Sequence, residues 1–317
     1  MRRTMARRGP NLLVGIFLVL TACAGGSENQ IAEETLTPVR GGTVVFASST
    51  GEPAVMNPLT IDGNTVATAL VAQTLLEGAY ETLPDFTYRP ELLAGEAEVT
   101  HGPFTITYTI REDATWSDGE PVGAADFEFT WKTIVDPKFK AAVRDGYDKI
   151  TDSEIIDPKT IRFTFDEPFV PYRELFNFVL PAHALEDGDL NQVWDDEITV
   201  SSGPFEFEQW KRGQFATVVR NDAYRGEGPY LDEIVFRFVT DPGSQIQLFR
   251  SREADVLYPQ PQVDLVEQLT SFGGASLEAS AGAVWEHIDF NLDTPLLQEP
   301  FVRQAIAHGI DRRAIVD

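Results

Sequence analysis

The positions of apolar and polar residues along the chain predict both strands and helices. Residues 104–111 alternate apolar side chains with threonines, which is the period-two pattern of a β-strand. Residues 65–79 and 124–135 instead repeat apolar positions every three or four residues, which predicts two helices. Short apolar runs bounded by Gly, Pro or Asp predict further strands at 43–47, 160–165, 205–210, 215–220 and 234–239.

The first 23 residues follow the pattern of an export signal. Four arginines in the first eight positions precede an apolar run over 12–20, which is shorter than the roughly 20 residues of a membrane span. The following Leu20-Thr21-Ala22-Cys23 resembles the lipobox of bacterial lipoproteins. We therefore expect a lipoprotein signal peptide at 1–22, a palmitate-type lipid anchor on Cys23 and a flexible polar tether over 23–40. The alternative is an incidental cysteine after an ordinary signal peptide.

The charge of the chain excludes several classes of partner. Its 317 residues include 50 acidic and 25 basic residues, for a net charge of −25. A nucleic-acid-binding protein needs a basic surface to neutralise phosphates, and an anionic membrane surface needs the same. We therefore expect neither partner. The hydrophobic fraction of 43% is ample for a large core, and the length predicts about two domains.

The sequence contains no recognisable catalytic or metal-binding motif. Its four histidines are far apart and have no metal-ligand spacing, and Cys23 is the only cysteine. It has no serine-nucleophile elbow, phosphate-binding loop or dinucleotide fingerprint. Among 50 acidic residues a pair of glycosidase carboxylates can always be drawn, so such a pair has no specificity. We therefore assign no catalytic residue, no metal and no cofactor.

An ordered series of short segments resembles the family 5 extracellular solute-binding proteins, the oligopeptide-, dipeptide- and nickel-binding components of ABC importers. The series runs from Gly41 to the end of the chain, and its order is more specific than any one segment. The segments lie at 41–45, 56–58, 76–78, the long run 90–111, 116–119, 125–127, 202–205, 231–234, 290–291, 302–306 and 310–312.

The resemblance implies an α/β fold of the periplasmic-binding-protein type II, with two lobes that close on a solute. The implied segments are 41–75 and 181–283 for the first lobe, 76–180 for an inserted subdomain and 284–317 for the start of the second lobe. Relatives of this kind continue well beyond residue 317, so we expect the second lobe to be incomplete in this chain.

Four groups of residues are candidates for solute binding. The first group is Asn64, Thr65 and Val66, which match the place where relatives lay backbone groups along the ligand; helix capping is the alternative. The second is Tyr147, an aromatic residue in a loop of the insertion, with packing as the alternative.

The other two groups lie later in the chain. The third group is Ser201, Ser202 and Gly203, which we expect at the cleft edge, with a simple turn as the alternative. The fourth is Trp285 and His287, which alternate on one face of a predicted strand, with a structural histidine as the alternative.

The sequence therefore predicts an exported, lipid-anchored, monomeric solute-binding protein on the outer face of the cell membrane or in the periplasm. We expect it to capture a peptide-like or other small solute and to deliver that solute to ABC permease subunits. Two alternatives stay open: a secreted lipid-anchored hydrolase, and a surface adhesion or signalling lipoprotein on the same fold. The fold by itself does not choose the solute.

Overall fold

The computed structural model describes residues 38–226, 228–260, 263–270, 272, 275–278 and 287–316. The strands are β1 (Thr43–Ser48), β2 (Tyr80–Thr82), β3 (Tyr88–Pro90), β4 (Glu98–His101), β5 (Phe104–Thr109), β6 (Ile150–Asp157), β7 (Thr160–Phe165), β8 (Phe205–Lys211), β9 (Phe215–Arg220), β10 (Glu233–Phe238) and β11 (Val256–Tyr258). The helices are α1 (Val66–Leu75), α2 (Ala124–Val135), α3 (Ala182–Leu185), α4 (Pro242–Arg250), α5 (Val263–Thr270), α6 (Pro295–Gln298), α7 (Pro300–Gly309) and α8 (Arg312–Val316), with a 3-10 turn at Tyr172–Glu174. Two compact units result, one up to Gln268 and one from Leu269 onward.

The larger unit is built on a five-stranded mixed sheet with the strand order β11-β1-β10-β9-β8. β1 pairs in parallel with β10 and β11, while β8, β9 and β10 form an antiparallel meander. β10 and β11 lie on either side of β1 and are connected through α4, as parallel strands require a crossover connection. The strands predicted at 43–47, 205–210, 215–220 and 234–239 are confirmed.

Helix α1 begins at a side-chain cap and ends at a contact with a distant segment. The Thr65 hydroxyl accepts a hydrogen bond from Thr68 N at 3.1 Å, which satisfies one of the free N–H groups of the first turn. The buried residues of α1 pack against β8 and β9. The sequence predicts a helix to residue 79, but α1 ends at Leu75 because its carbonyl accepts from the amides of Ser202 and Gly203.

The residues between α1 and β8 form sheets of their own. β4, β5, β7 and β6 make a four-stranded antiparallel sheet, and β2 pairs with β3 in a separate hairpin. Four aromatic rings fill the core between this four-stranded sheet and α2, with centroid separations from 5.1 to 6.1 Å. They are Tyr108, Phe127, Phe163 and Phe176. The predicted strands at 104–111 and 160–165 and the helix at 124–135 are confirmed.

The smaller unit is described for a few segments only. Its helices are α6, α7 and α8, and both α6 and α7 begin with a proline, which suits the first helical position. The compact units divide after Gln268, ahead of the lobe boundary predicted at residues 283–284. Across the described parts of both units, no helix has the length and apolar character of a membrane span.

Candidate functional site

The carboxyl ends of three parallel strands meet at one edge of the main sheet. β1, β10 and β11 end at Ser48, Phe238 and Tyr258. Backbone hydrogen bonds join the residues that follow: Val239 N donates to Ser48 O at 2.8 Å, and Ser49 N donates to Tyr258 O at 3.0 Å. In open α/β sheets, ligands bind outside the carboxyl ends of parallel strands. This carboxyl edge is therefore the candidate site.

The N-terminus of α1 lies beside the same edge. β8 runs in the direction of β1, so its end also points to this edge. Arg212, directly after β8, donates to Ala54 O at 3.2 Å, and the next carbonyl, of Val55, accepts from the Thr68 hydroxyl at 2.9 Å. The first turn of α1 is thereby tied to the end of β8. The backbone N–H groups of a helix N-terminus favour hydrogen-bond acceptors.

The first predicted group forms the exposed turn that leads into α1. Asn64 and Thr65 are exposed, and the Val66 side chain is 52% exposed. The turn is tight because a Cβ at Gly63 would lie 1.8 Å from Asn57 O, so a glycine is required there. Thr65 caps α1, as the alternative for this group proposed. The structure places all three residues at the carboxyl edge, and their contact with a solute stays a prediction.

The third predicted group lies at the opposite end of α1. Ser202 is fully buried; its hydroxyl accepts from Glu77 N at 2.9 Å, and its amide donates to Leu75 O at 3.0 Å. Gly203 N donates to the same carbonyl at 2.8 Å. Ser201 is likewise buried, with 1% of its surface exposed. These residues precede β8 and close the C-terminus of α1, so the structure does not bring them to the first group.

Tyr147 is buried in the core of the inserted region. Its ring packs edge-on against Phe176 with centroids 5.3 Å apart, and its hydroxyl accepts from Phe176 N at 2.5 Å. Burial raises the pKa of the phenol well above its ordinary value. These contacts are those of a packed core residue, which is the alternative considered for Tyr147.

The fourth predicted group belongs to the smaller unit. His287 is exposed, and its Nε2 atom lies 3.0 Å from a carboxylate oxygen of Asp289. Residues 287–290 form irregular backbone, so the strand predicted there is wrong for the part that is described. Trp285 lies outside the described residues, as does Cys23.

The carboxyl edge also carries residues that sequence reasoning missed. Tyr258 is 45% exposed at the end of β11, and Glu52 is exposed after β1. At the N-terminus of α4 the Asp241 carboxylate accepts from the amide and hydroxyl of Ser244, and these hydrogen bonds lower the pKa of Asp241. The only sequence signal for these residues is the proline or glycine that follows each of the three strands. Within the described segments, no three His, Cys, Asp or Glu side chains converge as metal ligands.

Comparison with known proteins decides the family. The model of the Bacterial extracellular solute-binding proteins, family 5 Middle, matches residues 87–317. The chain belongs to this family. Its match begins inside the β2–β3 hairpin and includes β8 to β11, whereas β1 and the turn before α1 precede it.

Three relatives show how far the family 5 likeness extends. The dipeptide-binding protein DppE of Bacillus subtilis (strain 168) is 26% identical over 337 residues, covering 100% of this chain and 61% of DppE. The periplasmic EDTA-binding protein EppA is 35% identical with a TM-score of 0.68, over 74% of this chain and 46% of EppA. NikZ of Campylobacter jejuni, solved with Ni(L-His), is 20% identical with a TM-score of 0.72, over 86% of this chain and 54% of NikZ.

These comparisons identify the fold as that of the family 5 periplasmic binding proteins, an α/β fold of type II. The relatives are binding proteins, and several of them are named as parts of ABC transport systems. The chain spans 61% of DppE and about half of EppA and NikZ. Because the chain covers only part of these relatives, its solute and its partners are proposals.

Proposed function

We propose that this family 5 protein is the solute-binding component of an ABC importer, that it captures a peptide-like solute in the cleft between its lobes, and that it delivers the solute to the permease without chemical change. The observation that carries the proposal is the carboxyl edge, where an exposed turn and the N-terminus of α1 lie beside the ends of parallel strands. This is the place where α/β sheets bind ligands.

The exposed turn offers both polar and apolar surface to a solute. Its tip, 62–64, is polar, and the flanking side chains of Ile61 and Val66 are 63% and 52% exposed. A peptide has the matching chemistry, because its backbone alternates donors and acceptors and its side chains carry apolar area. Asp241 and Glu52 make the described edge acidic, which favours a neutral or cationic part of the solute there.

The names of the relatives support a small chelating or peptide-like solute, since they refer to dipeptides, to EDTA and to nickel with histidine. Isothermal titration of the full-length protein, with both lobes complete, against dipeptides, pentapeptides, EDTA and Ni(L-His) tests this proposal. We expect saturable binding of at least one peptide class, with a dissociation constant near micromolar, which corresponds to about −8 kcal/mol. No saturable heat with any of these probes would contradict it.

A pair of variants locates the binding. Val66→Asp places a charge on the exposed turn, and an acid in the first turn of a helix does not disturb folding. We expect it to weaken peptide binding at least tenfold. Val170→Asp, at a side chain that is 85% exposed in the inserted region, is the matched control and should leave affinity unchanged. Equal effects of the two substitutions would show that the turn is not the site.

We further propose that the protein is exported by the signal at 1–22 and held at the membrane as a monomer by a lipid on Cys23. The support is the sequence Leu20-Thr21-Ala22-Cys23 after the apolar run. Mass spectrometry of the mature N-terminus should find an acylated Cys23. The Cys23→Ser variant should move from the membrane fraction to the soluble extracytoplasmic fraction, and retention on the membrane would contradict the anchor.

A further inference from the structure

Three segments of the chain meet beside the carboxyl edge. They are 52–57, which lies between β1 and the exposed turn, 193–196, which precedes β8, and 210–213, which turns from β8 to β9. We call this arrangement the three-way junction. Each pair of its segments is joined by side-chain hydrogen bonds or ion pairs, and none of these contacts is needed to form the strands themselves.

The first contact joins the β8–β9 turn to the segment after β1. The Glu52 carboxylate accepts from Trp210 Nε1 at 2.8 Å and from Gly213 N at 2.7 Å. Gly213 has a φ of +74°, which suits glycine in a tight turn. Arg212 adds a hydrogen bond to Ala54 O at 3.2 Å. The turn therefore holds 52–54 by three donors that come from one short segment.

The second contact joins the β8–β9 turn to 193–196. The Arg212 guanidinium lies 3.9 Å from the centroid of the Trp210 ring and 2.6 Å from a carboxylate oxygen of Asp196. Both charged side chains are more than half exposed, so the ion pair by itself contributes little. The same guanidinium thus covers the Trp210 ring whose Nε1 atom donates to Glu52, and links that ring to Asp196.

The third contact joins 193–196 to the segment that leads into the exposed turn. Met56 N donates to Trp194 O at 3.0 Å, and Asn57 Nδ2 donates to Val193 O at 3.3 Å. Trp194 has a φ of +65°, an unfavourable conformation for a bulky residue. Its buried ring and a hydrogen bond from its Nε1 atom to Thr199 Oγ1 hold it there. Such strain persists where the surroundings over-determine it, and it clusters at functional sites.

The junction reaches the exposed turn through the next residues of the chain. The Asn57 carbonyl accepts from the Thr60 hydroxyl at 3.0 Å, and its side-chain oxygen accepts from Leu59 N at 3.1 Å. Val55 O accepts from the Thr68 hydroxyl in the first turn of α1. A shift of 52–57 would therefore move both the turn and the helix N-terminus.

We propose that the three-way junction is a positioning device for the exposed turn 60–66, with Trp210 and Glu52 as its positioning residues. By holding the turn in one arrangement before the solute arrives, the junction reduces the ordering cost of binding and so raises affinity. The consequence for affinity rests on the proposed function, whereas the effect on the turn itself does not.

Hydrogen exchange tests the positioning without any solute. Three amides report on the turn because each donates within the structure, those of Ile61, Gly63 and Asn64. We expect their exchange to accelerate about tenfold in Trp210→Phe and Glu52→Ala, which is the factor for a loss of about 1.4 kcal/mol. Glu52→Gln keeps an acceptor for the indole N–H and should exchange like the wild type. Unchanged exchange in both disruptive variants would overturn the proposal.

A global loss of stability is separated from this local effect by the amides of β5, which lies in the inserted region. Acceleration of the β5 amides by the same factor would show a structural role only and would also overturn the proposal. Titration with L-alanyl-L-alanine is the second arm: the dissociation constant should rise about tenfold in Trp210→Phe. If the wild type binds the dipeptide and Trp210→Phe binds it with the same dissociation constant, the link to affinity is overturned. Faster exchange in a protein whose wild type binds no peptide would support the positioning and contradict the proposed function.

Discussion

Glu77 and Arg225 form a buried, two-pronged ion pair that joins the end of α1 to the loop after β9. The two guanidinium nitrogens lie 2.5 and 2.6 Å from the two carboxylate oxygens, and the side chains are 3% and 11% exposed. The Tyr224 hydroxyl donates to the same carboxylate at 2.9 Å. Every oxygen of this buried carboxylate is thus paired, which is the condition for tolerating an ion pair out of water.

Removing the arginine should destabilise the protein strongly. Arg225→Ala leaves the Glu77 carboxylate buried without its cation, and we expect a loss of about 3 to 5 kcal/mol in the free energy of unfolding, measured by urea denaturation. Arg89→Ala removes a comparable contact with Glu81 on the surface, where both side chains are well exposed. It should cost no more than about 1 kcal/mol. A similar loss in both variants would contradict the buried role.

The Glu91 carboxyl makes the stability depend on pH. Burial, the largest cause, and the nearby carboxylates of Glu77 and Glu81 raise its pKa to about 7, against the opposing effects of a hydrogen bond from Gly78 N and of Arg225. Between pH 4.5 and 7 the native state therefore keeps a proton that the unfolded chain has released. The free energy of unfolding falls as the pH rises through this window and is constant with respect to Glu91 above it.

Glu91→Gln should remove this contribution. We expect the variant to gain about 3 kcal/mol over the wild type at pH 8 and almost nothing at pH 4, from urea denaturation at both pH values. Glu98→Gln, at an exposed position of β4, controls for the loss of one negative charge. A gain that is the same at both pH values would show that Glu91 is not protonated in the native state.

Elements whose signal is local were predictable from the sequence. The alternation in β5 and the helical spacing in α2 follow from which side chains each element buries against its neighbours, so the pattern is written in the segment itself. The end of α1 was predicted four residues too late because its stop is not local. The helix ends where two amides from 202–203 reach Leu75 O, and no signal near residue 75 announces that contact.

The candidate site was only partly predictable for a related reason. The turn 64–66 follows from position along the chain, but the place of 201–203 depends on the direction of β8 within the sheet, which the sequence does not state. Tyr147 follows Arg144, Asp145 and Gly146, a polar run typical of an exposed loop. Its burial comes from Phe176, a partner far along the chain.

Gly203 should not tolerate a side chain. A Cβ atom there would lie 2.9 Å from the backbone of Thr74 and Leu75, at the contact that ends α1. We expect Gly203→Ala to lower the free energy of unfolding by about 1 to 3 kcal/mol, because backbone must move to admit the methyl group. Gly95→Ala is the matched control, since a Cβ at Gly95 meets open space. Equal midpoints of urea denaturation for the two variants would refute the close approach.

Gln245 offers a stabilising substitution. Its side chain in α4 is 1% exposed, and its Nε2 atom has no hydrogen-bond partner among the described residues. A buried donor without an acceptor costs about 1 to 3 kcal/mol, so Gln245→Met, which keeps the length of the side chain, should raise the free energy of unfolding by about 1 kcal/mol. Asn221 is the opposite case, since its buried amide donates to Gly203 O and accepts from Ala223 N. Asn221→Leu should therefore destabilise the protein. A loss of stability in Gln245→Met of the size seen in Asn221→Leu would mean that the Gln245 amide has a partner after all.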